Sequence, residues 1–576
     1  MSFARSRAHF HNIMKNKFKV TLVSAAALTI ALPCTALAQI QFLGGASLPY
    51  GGEIVSYSNG QILTTNSGNG SHSIQSYSLG SNGALSSGIS IDLASTFGGA
   101  ANISSISSVL ADSRGFGVAS VIPTGKTSTD LGRIAIFNSS TGSILKTLDV
   151  GYHPDSVTIT PDGSKLIITN EGEFVSTAAE ATFARPGSIS VVDLSGVTSV
   201  DNVSNLTSSN VATYDFSAAN LATGVSLTGI RDNTFAANNS GTTALMANIE
   251  PEYTTASNTK AFLTLQENNA IATFDFATGK FEKISSLGSI TQTIDASDRD
   301  GASNGKSVNI NDVVKGLPMP DTITQFSRGG STYLVTVNEG DARPDDADIA
   351  RANVSGVVDA SDSGSGDQYY AGNVGNTGIG RLNILKDMGN LDGDAGIEDP
   401  TMMGTRSFSI WNAATHTLVF DSASMIEQYV AANDPTSFNM NSGLTANFDT
   451  RSDDKGPEPE ALAFGSISGR DYVFVGAERQ NGIFQFDITD FGNVTITNYF
   501  NTATSTADSG GAFISPESIL FVDSASNPTG QNLLVVGYEG TGSNGSIAVF
   551  SVVPEPHSAL LVGVGAVFAA MRRRRA

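Results

Sequence analysis

The chain has 576 residues, enough for several ordinary domains or for one large repeat fold. It carries 54 acidic side chains against 32 lysines and arginines, and its formal charge of -22 argues against nucleic acid as a partner, because a phosphate backbone requires a basic surface. This balance is typical of a self-repelling extracellular protein that attracts cations.

The N-terminal segment has the pattern of a secretory signal peptide. Five basic residues precede the apolar run "VTLVSAAALTIALP", and the small residues "ALA" follow at Ala36–Ala38. This order predicts a signal peptide over residues 1–38, cleaved before Gln39. The single cysteine, Cys34, lies within it, and the preceding Pro33 makes a poor lipoprotein site. We therefore expect a mature chain without thiols or disulfides.

A hairpin pattern headed by proline and an acid, and ending at a second acid, recurs along the chain. It is clearest in "PDTITQFSRGGSTYLVTVNEGD" from Pro320. Four other segments share it, beginning at Pro154, Pro251, Pro459 and Pro516. In each copy turn residues separate two alternating runs rich in β-branched and aromatic residues, which predicts two strands. A weaker copy begins at Glu53, and another has Ser108 in place of the acid.

A further strand of the form Gly/Asn-x-Ile-x-x-aromatic follows each hairpin, as in "GRIAIFN", "NAIATFDF" and "NGIFQFDI". About seven such units, without helical periodicity, predict an all-β fold over residues 39–552: a seven-bladed β-propeller with surface loop insertions. The strand "QIQFLGG" at Gln39–Gly45 is expected to pair with the last blade and close the ring. A β-sandwich array is the structural alternative.

Unequal spacing between copies places insertions between Asp193 and Asn248 and between Asp341 and Gly404. In the second insertion, "NLDGDAGIED" at Asn390–Asp399 resembles the start of a calcium-binding EF-hand loop. However, Ala395 stands where that loop requires glycine, and no flanking helices are evident. A polar loop is therefore the preferred interpretation.

The two acids of each hairpin are expected to lie side by side, because the start of one strand and the end of its antiparallel partner meet at one edge. If the first strands line a central channel, one mouth is surrounded by an acid ring of Glu53, Asp155, Glu171, Glu252, Glu267, Asp321, Glu339, Glu460, Glu478, Glu517 and Glu539. So many carboxylates need compensation. Hard oxygen donors suit a divalent cation such as Ca²⁺ or Mg²⁺. The other interpretation is charge compensation by Arg343, Arg451, Lys455 and Arg479.

Candidate catalytic groups are few. His153 adjoins the acid ring and is the best candidate for general acid or base chemistry, although a histidine beside a strand start is more often a structural hydrogen-bonding group. The sequence contains no GxSxG, HExxH or phosphate-loop motif. Calcium-dependent phosphoester hydrolysis at the ring is chemically possible. Trp411, the only tryptophan, occupies a repeated aromatic strand position and is predicted to pack in the core.

The C-terminal residues 553–576 have three consecutive parts. Pro554, Glu555 and Pro556 precede an apolar stretch of about 14 residues, and the chain then continues with Arg572, Arg573, Arg574 and Arg575. The stretch is short for a membrane-spanning helix, which needs about 20 residues. The order resembles the PEP-CTERM sorting signal. That resemblance implies that an exosortase removes the tail after transient membrane contact, and that a Gram-negative-type bacterium sorts the protein to its surface or extracellular matrix.

Several longer segments carry a second resemblance, among them "GYHPDSVTITPDGSKLIITNEGE", "IEPEYTTASNTKAFLTLQENNAIATFDF" and "FDTRSDDKGPEPEALAFG". They are similar to the choice-of-anchor I family of exported bacterial β-propellers, over nearly the whole of residues 39–552. The resemblance implies the fold and a surface location but supplies no catalytic residues. We therefore expect a binding or scaffold protein whose partners are polysaccharide or other matrix components. The alternative is a calcium-dependent phosphoesterase, alkaline-phosphatase-like or phytase-like, of the same fold.

Overall fold

The computed structural model describes residues 39–68, 70–172, 185–232, 248–342, 348–361, 367–441, 445–505, 513–541 and 544–553. The predicted signal peptide, Arg343 and the predicted sorting signal from Pro554 onward lie outside these ranges. Strands dominate, and the α-helices of the described residues are α1 (Met425–Asn433) and α2 (Thr502–Ser505). None of the helices in these ranges has the length and hydropathy that a membrane crossing requires.

Seven four-stranded antiparallel sheets follow one another along the described chain. The opening strand β1 (Gln39–Leu48) belongs to the last of them. The first sheet contains β2 (Val55–Ser58), β3 (Gln61–Gly68), β4 (Ser71–Leu79) and β5 (Leu85–Asp92). The second contains β6 (Ile103–Ala111), β7 (Phe116–Pro123), β8 (Arg133–Asn138) and β9 (Ile144–Asp149). The third contains β10 (Pro154–Ile159), β11 (Lys165–Asn170), β12 (Ser188–Asp193) and β13 (Val211–Asp215). The fourth contains β14 (Pro251–Ala256), β15 (Lys260–Leu265), β16 (Ala270–Asp275) and β17 (Lys280–Ser286).

Five further strands lie outside the seven four-stranded sheets. They are β18 (Ile290–Ile294), β19 (Asp312–Leu317), β22 (Ile349–Arg351), β23 (Asn383–Leu385) and β24 (Thr401–Met403). The fifth sheet contains β20 (Ile323–Arg328), β21 (Ser331–Val337), β25 (Phe408–Asn412) and β26 (Leu418–Asp421). The sixth contains β27 (Pro459–Ile467), β28 (Arg470–Ala477), β29 (Gly482–Asp487) and β30 (Thr495–Asn501). The seventh contains β31 (Pro516–Val522), β32 (Asn532–Thr541), β33 (Asn544–Val553) and β1.

The all-β class is confirmed, and the predicted hairpins and third strands correspond to the first three strands of these sheets. The pairing of the segment at Gln39 with the last sheet is also confirmed. β1 runs antiparallel to β33 from Gln39↔Val553 to Leu48↔Gly545, with one bulge after Phe42. The last described strand ends at Val553, one residue beyond the predicted boundary.

Each sheet packs on the next through a shared apolar cluster, because the strands present Val, Ile, Leu and Phe on both faces. A seventh cluster, with Ile62, Leu79 and Val535, joins the last sheet to the first. The first strands of neighbouring sheets are likewise in contact, from β2 through to β31 and back to β2. The sheets are therefore packed in a cycle, a propeller-like arrangement.

Trp411 lies in the interface between the fourth and fifth sheets, beside Phe262 and Ile323. It is 2% exposed, and its indole N–H donates to Thr336 Oγ1 at 3.0 Å. The prediction that this tryptophan packs in the core is therefore confirmed. A polar partner for the indole N–H is typical of buried tryptophans.

The predicted insertion after Asp341 shares a small core with the segment that precedes the fifth sheet. β18 and β19 of that segment form a three-stranded sheet with β24 of the insertion, and β22 pairs with β23. Ile294, Val314, Ile384, Ile397 and Met402 pack together between them. β22, β23 and β24 lie between β21 and β25 of the fifth sheet, so the chain leaves that sheet and returns to it.

Candidate functional site: a ring of buried carboxylates

The first acid of four hairpins is positioned by an irregularity at the start of the strand. Pro459 pairs with Ala477 and Ala461 with Gly476, which leaves Glu460 bulged out of the ladder. Glu517 is displaced in the same way behind Pro516. Proline cannot donate to the ladder, and a bulge redirects the side chain of the extra residue. In these hairpins the Pro-acid pair therefore turns the carboxylate out of its sheet.

Hydroxyl groups of the preceding sheet hold the backbone of several of these acids. Ser156 Oγ donates to the carbonyl oxygen of Glu252 at 2.9 Å, and Thr264 Oγ1 donates to that of Asp321 at 2.7 Å. Ser518 Oγ of the last sheet donates to the carbonyl oxygen of Glu53, ahead of the first sheet. Neighbouring sheets are thus joined at the position of the acids.

The structure brings the predicted carboxylates together in three groups. In each group one oxygen of every member lies within 4.8 Å of the others. The groups are Asp155, Glu171 and Glu252; Asp321, Glu339 and Glu460; and Glu460, Glu478 and Glu517. Glu460 belongs to two groups, so they are continuous across the fifth, sixth and seventh sheets.

Burial and mutual repulsion shift the titration of these acids. Burial, followed by the charge of Glu539, raises the pKa of Glu53 to about 7. Burial, followed by the charge of Glu171, raises the pKa of Asp155 to about 7. For the same two reasons, burial first and neighbouring carboxylates second, the pKa is raised well above its usual value at Glu252, Glu267, Asp321, Glu460, Glu478 and Glu517. The ring therefore favours protons or cations.

Cations neutralise one sector of the ring, which we term the cationic sector. Lys455 Nζ lies 2.5 Å from Glu339 and 2.7 Å from Glu458. Two other basic residues join it. Arg451 lies 2.5 Å from Glu458, and Arg479 lies 2.7 Å from Glu478 and 3.5 Å from Glu539. Burial acts to raise the pKa of Glu458. The charges of Lys455 and Arg451 outweigh this effect, so the pKa lies below its usual value.

Glu458, at the centre of this sector, was not among the sequence candidates. It follows Pro457 just as Glu460 follows Pro459, so the two consecutive Pro-Glu pairs in "GPEPEALAF" were a signal that could have identified it. Tyr253 was also missed. It follows Glu252 and lines a cavity beside Glu53, Asp155 and Glu517.

Seven other acids of the ring have no such partners among the described residues. In the described ranges, no lysine or arginine lies within ion-pair distance of Glu53, Asp155, Glu252, Glu267, Asp321, Glu460 or Glu517. Glu267 is 7% exposed, and its Oε2 has no hydrogen-bond partner among the described residues. The nearby Arg231 is bound by Asp348 and Asp387. Its hydrogen bond to Glu267 goes to the backbone carbonyl oxygen and not to the carboxylate.

His153 lies at this part of the ring, with Nδ1 3.1 Å from Glu171 Oε2. It lines a cavity of about 320 Å³ together with Glu53, Asp155, Tyr253 and Glu517. The cavity lies against β6, where the second sheet contributes no acid. Its lining includes carboxylates and several serine hydroxyls, which suit a hydrated cation, together with the apolar side chains of Ile54, Ile106 and Ile122.

The sequence interpretation of the second sheet was wrong by two residues. Ser108 pairs with Ser120 in the ladder, whereas Ile106 and Ser107 occupy the irregular positions that Asp155 and Ser156 occupy in the third sheet. Ile106 therefore stands in place of the acid. An unrecognised bulge in β6 shifts the register, and the sequence pattern does not show it.

Comparisons with known proteins identify one family over most of the chain. The family described as "Choice-of-anchor I domain" matches residues 53–491. Gigasin-3a of Magallana gigas is 31% identical over 188 residues, which are 30% of this chain and 64% of that protein, so the chain spans less than two thirds of the relative's length.

Two solved structures illustrate the structural similarity. Kuenenia stuttgartiensis hydrazine synthase is 9% identical, with 88% of this chain and 97% of that chain covered and a TM-score of 0.42. The periplasmic gluconolactonase of Pseudomonas aeruginosa is 11% identical, with 78% and 85% covered and a TM-score of 0.37. At these scores neither similarity identifies a ligand or a reaction.

Proposed function

Because the chain belongs to the choice-of-anchor I domain family, we propose that it is an exported, seven-bladed β-propeller with a binding or scaffold role at the cell surface. The seven cyclically packed sheets are the blades. In this proposal the acid ring holds a divalent cation at one mouth of the channel, and Ca²⁺ is the first candidate. The observation that carries it is the part of the ring where Asp155, Glu171 and Glu252 converge and Glu267 keeps a buried, unpartnered oxygen.

Export and sorting complete the proposal. Residues 1–38 act as a signal peptide, and residues 553–576 act as a PEP-CTERM sorting signal that exosortase removes. The family supports a surface location, and the three-part order of the tail supports this route. Partners in this setting are polysaccharides or other components of the extracellular matrix. A cation held by carboxylates can bridge to such acidic or hydroxyl-rich polymers.

One observation favours the calcium-dependent phosphoesterase. Glu460 belongs to two carboxylate groups and is placed as a bridging ligand between two metals, which is the arrangement used to clamp a phosphate. However, Glu339 and Glu478, one in each group, are bound to Lys455 and Arg479. The single-cation binding site therefore agrees better with the charges present.

Calcium is expected to raise the melting temperature of the full chain, since a ligand that binds only the native state adds about 2.7 kcal/mol at a hundredfold excess over Kd. Glu252→Gln should reduce this rise by the share that the acid ring contributes. It should also raise the stability without calcium, because a buried carboxylate with a raised pKa is removed. Thermal melts at several calcium concentrations measure both effects.

Glu282→Gln is the matched control, because Glu282 is a surface carboxylate paired with Lys260 outside the ring. It should leave the calcium response unchanged. A wild-type chain that melts identically with and without calcium would contradict the cation site. Turnover of a chromogenic phosphate ester that disappears in Glu252→Gln would replace the binding role with the phosphoesterase.

A further inference from the structure

A second group of carboxylates lies in the insertion, far along the chain from the acid ring. In the loop Asn390–Asp399, one oxygen each of Asp392, Asp394 and Glu398 lies within 4.8 Å of the others. Asp394 also forms such a group with Asp359 and Asp367. Five carboxylates from two chain segments therefore converge around Asp394.

Glu398 supplies an independent sign of a ligand. It is 6% exposed, and its Oε2 accepts a hydrogen bond from the backbone N–H of Leu391 at 2.6 Å. Its Oε1 is buried and has no hydrogen-bond partner in the part of the chain that the structure describes. A buried carboxylate oxygen without a donor is costly unless a cation binds it.

The loop is also shaped to hold this group. Gly393 has φ of 88° and provides the sharp turn that Ala395 does not provide. Gly396 lies so close to the second segment that a Cβ there would be 2.6 Å from Asp359 Cβ. The amide of Asp359 donates to the carbonyl oxygen of Ile397 at 3.1 Å. The two acidic segments are therefore fixed against each other by backbone contacts.

Four of the five acids lack a basic partner in the described part of the chain. Within the described ranges, no lysine or arginine lies within ion-pair distance of Asp359, Asp392, Asp394 or Glu398, whereas the adjacent Asp399 is paired with Lys315. These four carboxylates therefore converge without a counter-charge from the described residues. An oxygen-rich site of several carboxylates with variable geometry suits Ca²⁺ better than Mg²⁺, which demands a near-octahedral shell and keeps its waters.

From this geometry we propose that the insertion contains a Ca²⁺ site formed by Asp392, Asp394 and Glu398, with Asp359 and Asp367 from the facing segment. The site is independent of the acid ring. The ion joins the two segments of the insertion and stabilises them in the folded state. The loop does this without the flanking helices of an EF-hand, so the preferred interpretation of Asn390–Asp399 as a plain polar loop is replaced.

The test is calorimetric titration of the full chain with Ca²⁺ up to about 10 mM, since extracellular calcium modules bind with Kd of about 10⁻⁴–10⁻³ M. Asp394→Asn and Glu398→Gln keep the hydrogen bonds that the side chains accept but remove their charge. Each is expected to weaken one calcium site at least about tenfold. Equimolar Mg²⁺ should not displace the bound calcium.

Asp490→Asn is the matched control, because Asp490 is an exposed turn aspartate that accepts from the N–H of Gly492 just as Asp394 accepts from Gly396. Calcium binding by Asp394→Asn and Glu398→Gln that equals that of Asp490→Asn would overturn the proposal. Glu252→Gln, at the acid ring, should leave this site intact, so the variants test the two cation sites separately.

Amide hydrogen exchange gives a local readout. Calcium should slow exchange in peptides covering residues 390–398 of the wild type and of Glu252→Gln, but not of Asp394→Asn. Unchanged exchange in the wild type would contradict a site in this loop even if calcium binds elsewhere.

Discussion

Replacing Lys455 with methionine is expected to lower the free energy of unfolding by about 3–5 kcal/mol, because removal of one partner leaves buried charges uncompensated. Lys455 is 11% exposed and contacts Glu339 and Glu458, with Asp341 4.0 Å away. Glu458 retains Arg451, but Glu339 would keep only the amide of Gln266 at 3.0 Å. Urea unfolding monitored by Trp411 fluorescence measures the change.

Two variants make this prediction specific. Lys455→Arg keeps the charge and should recover most of the lost stability. Lys306→Met removes an exposed lysine and should change the free energy of unfolding by less than about 0.5 kcal/mol. Equal losses in Lys455→Met and Lys306→Met would mean that the cationic sector contributes no compensation.

His416 is expected to make the fold sensitive to acid. It is buried in the turn between β25 and β26, and its Nε2 lies 2.8 Å from Thr273 Oγ1 of the fourth sheet. Burial, and to a lesser degree the charge of Lys283, lowers its pKa from 6.5 to about 3. His416 therefore binds a proton near pH 6.5 in the unfolded chain but only near pH 3 in the folded chain.

The sign follows from this difference in bound protons. The contribution of His416 is fully present above pH 6.5 and is lost as the pH falls toward about 3. The shift corresponds to about 5 kcal/mol over that window. Urea unfolding of the wild type and of His416→Gln at several pH values isolates the effect, because all other titrating groups are common to both.

The difference between the two proteins should change with pH at a slope of at most about 1.4 kcal/mol per unit. Lys283→Gln should narrow the pH window of this effect only slightly, since burial is the larger cause of the lowered pKa. Parallel stability curves for the wild type and His416→Gln would show that His416 takes up its proton without unfolding.

Much of the fold could be predicted from the sequence because the pattern is local. Alternation of apolar and polar residues, the turn residues between them and the Pro-acid pairs identify the first three strands of most sheets. The pairing of β1 with β33 could be predicted only from the repeat count, since Gln39 and Val553 lie at opposite ends of the described chain. The bulge at Ile106 could not be predicted, because no residue type marks it.

The sequence predicts which acids form the site, but not which of them are neutralised by basic residues. The acids repeat at fixed places in each hairpin, so the ring could be listed from the sequence. Which of them are neutralised depends on contacts that are distant in sequence. Lys455 reaches Glu339 across 116 residues, and Arg451 binds Glu458. Likewise, the orphaned oxygen of Glu398 depends on the position of the Leu391 amide, which has no signature in the sequence.

The β1–β33 ladder has a mechanical consequence. In the seventh sheet the strand order is β1-β33-β32-β31, so β33 is flanked by partners on both sides. A force that acts on Val553 is therefore resisted by two ladders. A force on Gln39, in the edge strand β1, is resisted by one neighbour, so the two ends of this sheet differ in mechanical support.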